Sequence, residues 1–152
     1  MTAAVKEAVG DRMKVVANGD IVNSETAREV IRETGCDGIM VGRECLRRPW
    51  ILAEMAWDLC GQPLLEKNRN PVSIARRQVE LAVELIEKPE KVVARELRGQ
   101  LLPYRLGAPL GYHGAERSEL ETQLRAELVQ AETFEQLFDF LARAEELTRG
   151  LY

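Results

Sequence analysis

Residues 15–50 read VVANGDIVNSETAREVIRETGCDGIMVGRECLRRPW, and the fold turns on this stretch. Val15-Val16-Ala17 is a short apolar run that stops at Asn18-Gly19-Asp20, and Ile39-Met40-Val41 is a second run that stops at Gly42-Arg43. The segment between them carries helix signals. Asn23 or Ser24 suits the N-cap, and Glu25 complements the dipole in the first turn. Ala27, Val30, Ile31 and Thr34 fall on one face, and Gly35 suits the C-terminal stop. The unbroken apolar run at 39–41 predicts a parallel strand buried on both faces. Pro49 suits the first turn of a further helix with Ile51, Leu52, Met55, Ala56 and Leu59 as its apolar stripe. Residues 13–61 therefore read β-α-β-α, with parallel strands and a right-handed crossover.

Beyond this block the strand signals end. GQPLLEKNRNP is polar and turn-rich and reads as a linker. Asn70-Pro71 then opens a helix with Ala75, Val79, Ala82, Val83 and Ile86 at helical spacing. Pro89 opens a second, with Val93, Leu97, Leu101 and Tyr104 inward. Leu120, Leu124 and Leu128 mark a third. Thr133 with Gln136 forms a capping box for a fourth, which presents Phe134, Leu137, Phe138 and Leu141. Short connections between four amphipathic helices predict a small four-helix bundle. The expected fold class is thus α/β followed by all-α, and no internal repeat or low-complexity segment interrupts it.

Composition narrows the class. The chain has 152 residues, 30% of them charged, with a net charge of −4. No apolar run approaches the ~18 residues of a membrane span, and MTAAVKEAVGDRMK lacks the basic start and apolar core of a signal peptide. Cys36, Cys45 and Cys60 are odd in number and form no CxxC pair. That argues against a disulfide framework or a zinc site and fits a reducing cytoplasm.

The two glycine tags suit an anion. In a β/α barrel the chemistry lies at the C-terminal strand ends, and phosphate is usually held after the seventh and eighth strands. Gly19 and Gly42 let the backbone approach a phosphate, N–H groups at a turn or helix start point at it, and Arg43 adds charge. Taken alone the signal is weak, because a glycine after a strand is usually the mark of a plain turn.

The string ANGDI…ETGCDGIMVGR…L…PWI, from about residue 9 to residue 60, resembles the C-terminal barrel segment of the tRNA-dihydrouridine synthases. The resemblance implies an FMN-dependent enzyme that reduces a uridine of tRNA with NADPH. It implies that Asn18, Gly19, Asp20, Gly42 and Arg43 line the FMN-phosphate pocket, and that Pro49-Trp50-Ile51 begins the last barrel helix. Residues 1–66 are then the end of a (β/α)8 TIM barrel with two parallel strands and two helices, and 67–152 a helical tRNA-binding domain.

RELRGQLLPYRLGAPLGYHGAE is similar to an Arg-rich helix and Gly-containing loop of that domain, with Gly99-Gln100 where Lys-His is common. The implied tRNA contacts are Arg69, Arg76, Arg77, Arg95, Arg98 and Arg105, with Lys67 and Lys91 beside them. Glu80, Glu84, Glu87, Glu90 and Glu96 are interspersed, so a solvated helix face is the competing reading. Tyr104 and Tyr112 have rings able to stack on bases, although the spacing of Tyr104 reads as core.

Three departures or singletons complete the reading. Glu44 stands where the family has a small residue, and a carboxylate there repels phosphate unless it turns away. Cys45 reads as a small packing residue with no base nearby, and His113 as an exposed or RNA-facing loop residue. No catalytic residue and no metal cluster is identified in the sequence; the resemblance implies that the cysteine that protonates uracil and the flavin-ring contacts come from the preceding part of such a barrel, and that residues 1–152 match only its seventh and eighth strands. Residues 1–62 alone are expected to be loosely ordered, to self-associate, or to pair with the missing barrel half. Residues 68–146 should be the more stable unit. The alternative function is a small RNA-binding module derived from a truncated synthase.

Overall fold

The computed structural model describes residues 1–63, 70–108 and 116–152. The chain divides into two compact units, Met1–Leu64 and Leu65–Tyr152.

In the first unit, strand β1 (Val16–Asn18) pairs in parallel with β2 (Gly38–Met40), in the register Val16↔Gly38, Ala17↔Ile39 and Asn18↔Met40. Helix α1 (Thr2–Val9) precedes them and buries no residue. Helix α2 (Ser24–Thr34) makes the crossover. Its N-cap is Asn23, whose Oδ1 accepts from the Thr26 N–H at 2.8 Å while Thr26 Oγ1 accepts from the Asn23 N–H at 3.2 Å. Gly35 ends α2 in the left-handed conformation, and its N–H donates to the Ile31 carbonyl. After β2 come a short helix α3 (Arg43–Arg47) and then α4 (Ile51–Cys60).

The core of this unit is Ile21, Ala27, Ile51 and Met55, with Val30, Ile39, Val41, Cys45 and Leu59 packed against it. Each large member stabilises the unit by roughly 1.5–3 kcal/mol. Ala17 is buried, but Val16 and Met40 on the other sheet face are 58% and 54% exposed. The expectation of a strand buried on both faces is therefore not met: among the described residues no element covers that face. Leu52 also leaves the predicted stripe and is exposed on α4.

Asp37 locks the start of the strand pair. Its Oδ2 accepts from the Val15 N–H and from Lys6 Nζ, each at 2.9 Å, and its Oδ1 from Lys14 Nζ at 3.2 Å. The Val15 N–H first, then the lysines, hold its carboxyl well below the usual carboxylate range.

The second unit contains α5 (Pro71–Leu85), α6 (Glu90–Leu101), α7 (Glu119–Gln130) and α8 (Phe134–Leu147). Asn70 caps α5 by accepting from the Val72 and Ser73 N–H groups, with Pro71 at the first helical position. Ser118 with Glu121, and Thr133 with Gln136, form capping boxes on α7 and α8. Helix α8 packs on α5, α6 and α7. Its buried residues are Leu137, Phe140, Leu141 and Ala144, so Phe140 takes the place expected for Phe138. Val72, Ala75, Val79 and Ala82 are buried on α5, whereas Val83 and Ile86, expected inward, are exposed.

Gly107 has φ 95°, and its N–H donates to the Tyr152 hydroxyl at 2.8 Å. A Cβ there would meet Leu120 Cγ at 3.1 Å and Leu124 Cδ1 at 3.2 Å, so the position requires glycine.

The described residues thus carry eight α-helices, not the six expected. The additions are α1, which buries no residue, and the five-residue α3. No described helix is long and apolar enough to cross a membrane.

Candidate phosphate-binding site

Because Asn18 is level with Met40 in the ladder, both strands end at the same edge and the two glycine tags emerge side by side. Gly19 takes φ 142° and Asp20 φ 47°. Aspartate tolerates the left-handed region, and the reversal turns its carboxylate toward the second tag. Asp20 Oδ1 accepts from Arg43 Nη2 at 2.6 Å. Between the tags lies a concavity of about 490 Å³, lined by Asn18, Gly19, Asp20, Ile21, Val22, Gly42, Arg43, Glu44 and Arg47. All five residues singled out in the sequence for this site border it.

Two features set its electrostatics. The Asp20–Arg43 pair is almost fully in water, with side chains 86% and 87% exposed. Such pairs are worth about 0–1 kcal/mol, so Arg43 is readily recruited by a competing anion. Glu44, the residue out of place in an anion site, turns to Arg48: its Oε1 accepts from Arg48 Nε at 2.7 Å. Arg48 is buried, donates through Nη2 to the Val22 carbonyl at 2.6 Å, and lies 3.5 Å through Nη1 from Glu54 Oε2. The sequence reading missed Arg48, although Glu44 and Arg48 stand at i and i+4 with the acid first, the favourable order on a helix.

Cys45 packs behind the concavity with its thiol toward the Val41 carbonyl. Burial first, and the Glu44 charge second, push its pKa up, so the thiol stays protonated at neutral pH. Among the described residues no group of three or more His, Cys, Asp and Glu side chains could hold a metal ion.

In the second unit four of the five described arginines expected to meet RNA are held by partners within the unit. Arg76 pairs with Glu145 at 3.1 Å and Arg77 with Glu80 at 3.2 Å. Arg98 Nη1 donates to the Val129 and Ala131 carbonyls, at 2.8 and 3.3 Å, where α7 ends. Arg105 binds Glu121 at 2.8 Å and the Glu116 carbonyl at 2.7 Å. Arg95 is exposed on α6, in one stripe with Lys91 and Arg98. Tyr104 is buried and its hydroxyl donates to Gln78 Oε1; burial raises its pKa. Arg69, Lys67, Tyr112 and His113 lie outside the described residues.

Comparison with known proteins bears on this arrangement. A family model described as Dihydrouridine synthase (Dus) matches residues 2–139. A probable tRNA-dihydrouridine synthase of Mycobacterium leprae is 30% identical over 133 residues, which cover 86% of this chain and 32% of that protein. One of Rickettsia typhi is 47% identical over 55 residues, 36% of this chain and 16% of the relative. tRNA-dihydrouridine synthase B of Xanthomonas axonopodis pv. citri is 48% identical over 54 residues, again 36% and 16%. The matched parts span at most about a third of these relatives' length. With a family match over most of its length, the chain belongs to the dihydrouridine synthase family.

Proposed function

We propose that this chain contributes the FMN-phosphate half-site and the tRNA-docking helices of a tRNA-dihydrouridine synthase, which reduces uridine in tRNA at the expense of NADPH. The observation that carries the reading is the convergence of Asn18-Gly19-Asp20 and Gly42-Arg43 on one concavity, in a chain of this family. On this reading β1 and β2 are the seventh and eighth strands of a TIM barrel, and residues 1–66 are its end. Residues 67–152 form the helical tRNA-binding domain, a four-helix bundle. A β/α barrel takes about 200 residues or more, and we assign the cysteine that protonates the base to the remainder. The isolated chain is then inactive, and the exposed Val16 and Met40 face is where the rest of the barrel, or a second copy, packs. A cytoplasmic enzyme is consistent with the cysteine usage.

The donor set suits a phosphate monoester. Gly19 and Gly42 have open space where a Cβ would stand, so backbone can approach the anion. Arg43 and Arg47 border the concavity as cations, Asp20 holds Arg43 at its rim, and the Glu44 charge is answered by Arg48. FMN, when bound, supplies the hydride to the uracil ring. The residues here hold and orient its phosphate: Arg43 exchanges Asp20 for phosphate oxygen, a charge-assisted contact.

Arg43→Ala in the complete enzyme should weaken FMN binding about tenfold with riboflavin binding unaltered, because one charged contact to phosphate is worth roughly 1.5–3 kcal/mol, less what solvent exposure removes. Unchanged FMN affinity would take Arg43 out of the site.

A further inference from the structure

Glu44 poses a problem that Arg48 answers. A carboxylate on the wall of an anion site opposes the ligand, yet Glu44 borders the concavity. Arg48, beneath it, is 8% exposed and is the one buried cation among the described residues. A buried guanidinium must be matched by acceptors, and this one reaches three elements. Nε meets Glu44 on α3, Nη2 meets the Val22 carbonyl on the segment after β1, and Nη1 faces Glu54 on α4. Val22 and Glu44 both line the same concavity, one in the segment that follows each strand.

We infer that Arg48 is the positioning residue of the phosphate site: it takes up the charge of Glu44 and clamps the segment after β1 to the segment after β2. The inference rests on the phosphate reading and names the device that makes the site permissive. The planar fork is what lets one side chain reach all three partners. Lysine carries the same charge but lacks that geometry.

The test uses the full chain and inorganic phosphate, followed through the amide resonances of Gly19 and Gly42, with the core residue Ala27 reporting on the fold. Wild type should show saturable shifts at both glycines. Arg48→Met should weaken phosphate about tenfold, the scale of one unbalanced charge beside a solvated site. Adding Glu44→Gln to Arg48→Met should bring affinity back to within about threefold of wild type, a rescue that a merely structural role would not give. Arg48→Met binding as wild type overturns the inference, as does a folded double variant that stays weak. If Arg48→Met fails to fold, Glu44→Gln alone carries the test. It leaves the Arg48 charge unspent, so phosphate should bind as in wild type or up to about tenfold tighter, and weaker binding overturns the inference. No response in wild type removes the phosphate reading itself, an outcome distinct from a failed variant pattern.

Discussion

Arg98 and Arg95 stand one turn apart on α6, and replacing each by methionine should have opposite signatures. Arg98 is anchored: its guanidinium donates at 2.8 and 3.3 Å to carbonyls at the end of α7, where the helix dipole also favours a cation. Hydrogen bonds from a charged donor contribute about 1.5–3 kcal/mol when shielded. Partial exposure of this one brings the expectation to ~1–2 kcal/mol. With a urea dependence of about 1 kcal/mol per molar for a small unit, the helical unit of Arg98→Met should unfold at ~1–2 M less urea. Arg95 is exposed and, among the described residues, no hydrogen bond or ion pair holds it, so Arg95→Met should leave the midpoint within ~0.5 M. If Arg95 meets a tRNA phosphate, its loss should lower the salt slope of tRNA binding by about one. Urea melts followed by circular dichroism, with filter binding across a salt series, separate the two roles. An Arg98→Met chain as stable as wild type would refute the anchoring argument.

Two further substitutions probe the frame. Gly107→Ala should destabilise the helical unit by about 2–4 kcal/mol, combining a disfavoured positive φ with contacts near 3.1 Å to Leu120 and Leu124; a smaller loss in a thermal melt would mean that α7 gives way easily. Asp37→Asn should destabilise the first unit at neutral pH. Because the folded-state pKa of Asp37 is depressed, its contribution is present above the unfolded value near ~3.9 and is lost as pH falls below it. The gap between wild type and variant should therefore begin to narrow as pH falls through about 4 and keep narrowing to the most acid pH at which the unit still folds. A gap that stays constant from about pH 5 down to about pH 2 would show that charge is not the cause.

Local signals in the sequence were enough wherever one residue and its near neighbours decide the outcome. Gly35 stops α2, Asn70-Pro71 starts α5, and the Thr133–Gln136 box starts α8, each through bonds reaching only three or four residues. The two tags were legible for the same reason: each follows a short apolar run. Roles set by distant partners were not. Nothing near Arg98 in the chain points to Val129 or Ala131, and nothing near Asp37 points to Lys6, 31 residues away. Periodicity failed where burial is one-sided. The run at Ile39-Met40-Val41 is apolar throughout, yet Met40 lies on the uncovered sheet face. Likewise Phe138 and Phe140 are both apolar on α8, and packing against the neighbouring helices buries Phe140.

The most direct test of the central claim compares FMN with riboflavin, which differ only in the phosphate, in competition for the wild-type chain. If the concavity between Gly19 and Gly42 is a phosphate site, FMN should bind at least about tenfold tighter, and raising inorganic phosphate should erase the difference. Equal binding of the two flavins, indifferent to phosphate, would contradict it.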